Sequence, residues 1–149
     1  MTGLNHTATG ALIALSIKQP FLALPLAFAS HFVLDALPHF GIDHADKAQQ
    51  SLLRKVVTYD SCATVLLILT VYLVSRNLFV VACMLITLLP DSVWFVKYAH
   101  DRYRGQAFSL PKDVFSRFHK RIQWGERPWA WRLELVWAVV ALTVLSVIL

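Results

Sequence analysis

The stretch from residue 31 to residue 39 carries the side chains best suited to chemistry. His31 and Asp35 are four positions apart, so on a helix they lie on one face, one turn from each other. His39 continues that face if the helix persists past Pro38, or else it begins the following loop. Neutral imidazole suits zinc and similar divalent ions, and a carboxylate neutralises part of the charge of the metal. This spacing predicts half of a metal site. Polar groups that reach interfacial water at a helix end are the alternative interpretation.

Three more ionisable side chains lie in or beside apolar segments and are candidates for the same site. His6 precedes a run of small residues, and Asp60 begins one apolar segment. Asp91 lies inside another, directly after Pro90, which is expected to break the helix locally. Ionisable groups inside membrane segments are costly and therefore indicate a function by default. Asp91 needs a partner, either a metal or a cation such as Lys97. Asp60 could be a ligand or a general base, or only a favourable acid at a helix start.

A basic segment farther along the chain has a pattern typical of a helix that lies in the membrane interface. From Phe115 to Trp124, apolar side chains recur on one side and cations on the other. His119 and Gln123 are four positions apart and could fold over the site as a lid, although an interfacial position would explain His119 equally well. The cations that could hold the phosphate of a lipid headgroup are Arg117, Lys120 and Arg121.

Composition restricts the elements that can position these residues. Of the 149 residues, 57% are hydrophobic and only 15% are charged, whereas about 25% are charged in an average soluble domain. So much apolar surface excludes a disordered chain, and a chain this small has no interior large enough to hide that surface in a soluble globule. Strand-type alternation does not occur. The sequence therefore predicts an all-α fold, a polytopic membrane helical bundle that forms one domain over residues 1–149.

The apolar and polar stretches predict five segments along this bundle. The first is a short N-terminal helical hairpin with its tip at residues 18–20, and one long helix bent at Pro20 is the alternative. Three transmembrane helices are expected, at 61–75, 78–96 and 132–149, each near the length that crosses a bilayer. The segments are residues 1–39 (hairpin), 40–58 (cytoplasmic loop), 59–97 (transmembrane hairpin), 98–131 (basic interfacial segment) and 132–149 (C-terminal transmembrane helix).

The charge distribution indicates the orientation and the partners. The formal net charge is +5, and nine of the fourteen Lys and Arg residues lie from Lys97 to Arg132, beside apolar segments. This excess assigns that side to the cytoplasm, so we expect the cytoplasmic membrane of a prokaryote, with membrane lipid as a partner. Nucleic acid is not expected as a partner, because exposed aromatic side chains do not alternate with the cations. Association with further copies of the chain is left open. In the hairpin arrangement, the candidate site residues lie toward the cytoplasmic ends of their helices.

Three of these motifs together resemble the membrane-bound metal-dependent hydrolases, small bacterial inner-membrane proteins related in pattern to zinc-dependent phospholipase C. The motifs are the His31 and Asp35 pair on an apolar helix, the histidine followed by small residues at 6–10, and the Leu-Pro-Asp element at 89–91. The resemblance implies an all-helical fold, bound divalent metals and hydrolysis of phosphoester or similar bonds. The metal ligands that it implies are His6, His31, Asp35 and Asp91.

Together these patterns predict an integral-membrane metal-dependent hydrolase that cleaves a phosphoester or related bond of a lipid or lipid-linked substrate. We expect one or two divalent ions, zinc being the first choice, and catalytic roles for Asp60 and His119. The full set of expected metal ligands is His6, His31, Asp35, His39 and Asp91. Two alternatives come from other classes of protein: a small ion-transport or haem-binding membrane protein, and a structural subunit whose polar cluster holds helices together.

Overall fold

The computed structural model describes residues 1–41 and 49–149, and helices make up the regular structure of both ranges. No strand occurs within these ranges, where His39 and Glu126 form an isolated backbone bridge. The all-helical class predicted from the sequence is confirmed for this part of the chain. The seven α-helices are α1 (Gly3–Ser16), α2 (Pro20–Ala36), α3 (Gln49–Ser75), α4 (Leu78–Ile86), α5 (Leu89–Tyr103), α6 (Val114–Ile122) and α7 (Trp131–Ile148).

Within the described residues, two helical segments are long and apolar enough to cross a membrane. One is α3, and the other is Pro128–Ile148, which comprises α7 and the short turn before it. α4 and α5 provide a third crossing only if they count as one broken span, since they meet at a bend of 65°. Two or three helices can therefore cross a bilayer. Leu66 and Leu73 of α3 are more than half exposed, and such an apolar surface suits contact with lipid.

The break between α4 and α5 follows from Pro90. Proline has no N–H and a fixed φ, so it interrupts a helix but fits the first turn of a new one. Pro90 lies in the first turn of α5, and Thr87 and Leu88 connect the two helices. The segment predicted as one helix at 78–96 is therefore two helices at an angle, with the Leu-Pro-Asp element at their junction.

The N-terminal segment is a hairpin and not one bent helix, because residues 17–19 separate α1 from α2. α1 lies at the centre of the bundle, where it packs against α2, α3, α4 and α7. Its buried positions are mostly small, among them Ala8, Gly10 and Ala11. A Cβ built on Gly10 would lie 2.8 Å from the carbonyl oxygen of Cys83 in α4. This glycine therefore allows the backbones of α1 and α4 to approach closely.

α3 begins at Gln49, well before the apolar stretch that starts near Tyr59. The residues between include Arg54 and Lys55, which are both exposed. A change from apolar to charged residues marks the end of a membrane segment but does not end a helix. About half of the loop predicted at 40–58 is therefore helical, while residues 42–48 of it lie outside the described residues.

α6 is the amphipathic helix that the basic segment predicts. The carboxylate of Asp113 accepts a hydrogen bond from the Ser116 backbone N–H at 2.9 Å and another from the Ser116 hydroxyl at 2.6 Å. These contacts cap the start of the helix. Phe118 is about half exposed, whereas His119 is fully buried. The histidine side of α6 therefore faces the bundle, where α6 packs against α2 and α5.

Replacing Gly10 by valine should destabilise the bundle, because the added side chain meets the α4 backbone. Overpacking of this kind costs about 1–3 kcal/mol, which thermal unfolding in detergent micelles measures. The matched control is Ser16→Val, at an exposed position of the same helix. A Gly10→Val protein that unfolds at the wild-type temperature would show that α1 and α4 do not approach this closely.

Candidate metal centre

His31 and Asp35 lie one turn apart on α2, and both are fully buried. The Nδ1 of His31 lies 2.7 Å from the carbonyl oxygen of Thr87. A carbonyl can only accept, so Nδ1 carries the proton and donates. Thr87 lies at the break before α5, where the Asp91 N–H, its partner in a continuous helix, donates to the Leu88 carbonyl oxygen at 3.1 Å instead. The break thus leaves the Thr87 carbonyl free to accept the Nδ1–H of His31. Because the proton is on Nδ1, the Nε2 of His31 keeps a lone pair that can bind a metal.

Four ligand atoms converge on one point from α2, α5 and α6. They belong to His31, Asp35, Asp91 and His119, and all lie within 4.8 Å of one another. The Nε2 of His119 is 3.0 Å from the Nε2 of His31 and 2.8 Å from Asp35 Oδ2. The Nε2 of His31 is 3.2 Å from Asp35 Oδ2 and 3.6 Å from Asp91 Oδ1. Asp91 Oδ1 is 3.8 Å from the Nε2 of His119.

These separations fit a metal ion at the centre. Ligand atoms ~2.1 Å from a tetrahedral ion lie about 3.4 Å from one another, and the measured distances fall on both sides of that value. Lone pairs that face each other in a buried site are costly unless a cation or a proton lies between them. Two imidazoles and two carboxylates can therefore hold a divalent cation here. The donor set does not identify the metal.

Asp91 is the open side of this cluster. Its side chain is 34% exposed, whereas those of His31, Asp35 and His119 are fully buried. Among the described residues of the cluster, Asp91 is therefore the ligand side chain that a small molecule can reach.

His6 contacts the cluster but lies outside the group of four. Its Nε2 is 3.1 Å from Asp35 Oδ1, whereas His119 contacts the other carboxylate oxygen, Oδ2. Its ring stacks on the ring of His31 with centroids 4.0 Å apart. The hairpin thus brings His6 beside His31 and Asp35, as the sequence predicts, and its role as a ligand stays a prediction. The α-amino group of Met1 contacts the same carboxylate oxygen.

His39 lies apart from the four ligands, near Glu126. It is almost fully buried, and its Nδ1–H donates to the carbonyl oxygen of Leu37 at 2.8 Å. Its Nε2 has no hydrogen-bond partner among the described residues, with Glu126 Oε1 3.9 Å away. Burial lowers the pKa of His39, so its imidazole is neutral at neutral pH. His39 therefore has a free lone pair, and whether it binds a metal stays a prediction.

Asp60 holds the start of α1. Its two carboxylate oxygens accept the backbone N–H groups of Gly3 at 2.8 Å and Leu4 at 3.1 Å. These are first-turn N–H groups that a helix cannot satisfy by itself. Asp60 thus lies outside the group of four candidate ligands. Its predicted role as general base stays a prediction, since the contacts of its carboxylate among the described residues are to the start of α1.

A cavity of about 480 Å³ adjoins the open side of the cluster. Its polar lining includes Asp91, which belongs to the cluster, Gln123, which contacts Asp35, and also His39, Glu126 and Asp60. The remaining wall is mostly apolar. Its apolar side chains include Leu53, Val57, Val65, Leu88, Phe95 and Phe108. This volume and mixed lining are typical of small-molecule sites.

The three cations predicted to bind substrate do not line this cavity. Arg117 and Arg121 are exposed on α6, and Lys120 forms an ion pair with Glu126, which does line it. Their contact with a phosphate group stays a prediction. His119, predicted as catalytic, lies in the ligand group instead.

Sequence reasoning did not assign three groups that shape the site. Gln123 donates to Asp35 Oδ2 at 3.0 Å, and only its spacing from His119 indicated a role. Buried Glu134 of α7 accepts the backbone N–H groups of Thr2 and Phe40. Glu134 was visible as an acid in an apolar helix, but no pattern identifies its partners. The Thr87 carbonyl has no side-chain signature, although Pro90 predicts the break that frees it.

Comparison with family models, with curated proteins and with solved structures found no match for this chain. The site is therefore interpreted from its own geometry.

Adding zinc to protein stripped of metal should raise its unfolding temperature. An ion that binds only the native state stabilises it, by about 2.7 kcal/mol at a hundred times its Kd. The shift should be lost in His31→Ala and in His119→Ala, because each removes one ligand atom. His100→Ala is the matched control, since His100 is exposed on α5 and outside the ligand group.

Circular dichroism before zinc is added separates the loss of a ligand from the loss of the fold. A folded His31→Ala protein with the wild-type zinc shift would contradict the metal site. So would a wild-type protein that no divalent ion stabilises.

Proposed function

We propose that the protein is an integral-membrane metal-dependent hydrolase that cleaves a phosphoester or related bond. The observation that carries the proposal is the group of His31, Asp35, Asp91 and His119, open at Asp91 to the 480 Å³ cavity. A purely structural cluster would need neither an open side nor a cavity next to it. The similarity of the sequence motifs to membrane-bound metal-dependent hydrolases supports the same function.

The proposed metal is zinc, as one ion or two. Two imidazole nitrogens and two carboxylate oxygens form a donor set that zinc accepts in catalytic sites. When bound, a divalent ion supplies Lewis-acid polarisation of the bond to be cleaved and lowers the pKa of a water molecule. Asp35 is held by His6 and Gln123 as well as by the ligand histidines, so its orientation is fixed before substrate binds.

His39 is the proposed proton acceptor of the reaction. It lines the cavity, its Nδ1–H is committed to the Leu37 carbonyl, and its neutral Nε2 has no partner among the described residues. A general base needs such a free lone pair near the reacting water. Asp60 lines the same cavity, but its oxygens already accept two N–H groups. The geometry therefore favours His39 over Asp60 for this step.

The proposed substrate is a lipid or lipid-linked molecule at the cytoplasmic leaflet of a prokaryotic inner membrane. The apolar wall of the cavity, with Val65 and Phe95, suits a hydrocarbon chain, and the polar end at Asp91 suits the bond to be cleaved. α3, which forms part of this wall, is one of the helices able to cross a membrane. A chain lying in the bilayer could therefore enter the cavity without passing through water.

Asp91→Asn should reduce hydrolysis by about 100-fold or more, because it removes a charged ligand at the open side. The assay uses zinc-loaded protein in micelles, with bis(p-nitrophenyl) phosphate and a short-chain phospholipid as substrates. The control is His100→Gln, which should keep wild-type activity. Stable zinc binding without hydrolysis of either substrate would overturn the hydrolase proposal and leave the metal site intact.

His39→Gln should lower kcat by roughly 100-fold while the zinc-induced shift in unfolding temperature stays at the wild-type value. Loss of a general base costs about 10²–10⁴ in rate, and glutamine keeps the size and a hydrogen bond without a basic lone pair. If zinc stabilisation is lost as well, His39 is a metal ligand, as the sequence predicts, and not the base.

A further inference from the structure

A second cavity, of about 270 Å³, lies between the start of α3, the end of α5 and the loop after α5. None of the four metal-ligand residues lines it. It shares Tyr98 and Phe108 with the larger cavity, and these two rings meet edge to face with centroids 5.9 Å apart. Both cavities therefore border the same aromatic pair. The lining residues are Gln50, Arg54, Tyr98, Arg102, Gly105, Gln106, Ala107 and Phe108.

Two arginines from different helices meet at this cavity. The Nε of Arg54 donates to the Gln50 carbonyl oxygen at 3.3 Å, and Nη1 of Arg102 donates to the Tyr98 hydroxyl at 3.4 Å. Both acceptors belong to residues that line the cavity, so the guanidinium groups lie at its wall. A guanidinium has five N–H donors, and these contacts leave most of them available.

Neither guanidinium forms an ion pair within residues 1–41 and 49–149. Lys97 of α5, by contrast, pairs with Asp101. Both arginines line the same cavity, so an anion bound there is attracted by two positive charges. The cavity is therefore suited to an anion.

The position of the cavity along the helices indicates which anion. Arg54 precedes the apolar part of α3, and Arg102 lies in the last turn of α5. Arg54 therefore lies at the polar end of a helix able to cross a membrane, and Arg102 lies at the polar end of the bent α4–α5 pair. Lipid phosphates lie at the level of such polar ends. Guanidinium groups bind phosphate oxygens in a bidentate manner, with planar geometry that matches two oxygens at once.

We propose that Arg54 and Arg102 form a binding site for a phosphate group, separate from the metal centre. The phosphate is carried either by a lipid headgroup or by inorganic phosphate. If a lipid carries it, the apolar cavity beyond Tyr98 and Phe108 is next to the site and can receive the hydrocarbon chain. This site does not depend on metal binding or on hydrolysis.

The test is calorimetric titration of the full-length protein in neutral detergent micelles. The two probes are inorganic phosphate and a short-chain phosphatidic acid. Arg54→Gln and Arg102→Gln should each weaken binding about tenfold, since a lost bidentate contact is a charge-assisted one. Arg104→Gln is the matched control, because it removes the same charge two positions from Arg102, at a residue that does not line the cavity, and it should change Kd less than about twofold.

The two probes separate the sources. Phosphatidic acid that binds at least tenfold more tightly than phosphate assigns the site to lipid, and equal affinities assign it to free phosphate. Both results support the site if the two arginine variants weaken the binding. Equal weakening by Arg104→Gln, or no saturable binding of either probe, overturns it.

A folded state is verified by circular dichroism and by the unfolding temperature without added metal, both of which the arginine variants should retain. If Arg102→Gln does not fold, Arg102→Lys keeps the charge and loses the bidentate contact, and it should weaken binding severalfold. Wild-type affinity in a folded Arg102→Lys and Arg54→Lys double variant would also overturn the proposal. These results are independent of hydrolysis, so failure here leaves the proposed function untouched.

Discussion

The rest of the structure depends on the fully buried carboxylate of Asp35. A charge taken out of water is costly unless other groups compensate it. One oxygen of Asp35 faces His6 and the Met1 amine, and the other faces His119 and Gln123. These partners come from α1, from the chain before it, from α6 and from the turn after it. A single carboxylate on α2 thus contacts side chains or the amine of four other parts of the chain.

The break at Pro90 has two effects on the same site. It changes the direction of the chain between α4 and α5, so that the Asp91 side chain points back toward α2. Its Oδ1 is 3.6 Å from the Nε2 of His31. It also leaves the Thr87 carbonyl available to orient the His31 ring. A continuous helix through residues 78–96 would use that carbonyl for its own hydrogen bonds. The loss of one regular helix therefore supplies both a ligand and the group that positions another ligand.

The sequence predicts the parts of this arrangement that follow local rules. Helical spacing places His31 and Asp35 on one face, the interruption at residues 18–20 predicts the hairpin, and Pro90 predicts a break near Asp91. Long-range packing is not encoded in such rules. His119 reaches the cluster because the chain after α6 passes close to the end of α2, where a Cβ on Gly125 would lie 2.9 Å from the Leu37 carbonyl oxygen.

Asp60 illustrates why the remaining roles were not predicted. An acid at the start of an apolar segment indicates chemistry or a favourable helix end, and its own neighbours in sequence do not distinguish them. The deciding partners are the first N–H groups of α1, far away in the chain. Glu134 behaves in the same way toward Thr2 and Phe40. Asp60 and Glu134 thus bind backbone N–H groups, whereas Asp35 binds side chains, and only the folded structure shows which partner each acid has.

The central position of α1 has a consequence for the order in which the chain can be assembled. α1 is the earliest helix in the sequence, yet it packs against α7, the last one. Trp137 of α7 donates to the Thr9 hydroxyl at 3.1 Å, and the Asn5 side chain donates to the Glu134 carbonyl oxygen at 3.1 Å. The packing of α1 is therefore complete only with α7, the last described helix, in place against it. Since the candidate ligand group contacts α1 through His6, its surroundings depend on helices from both ends of the described chain.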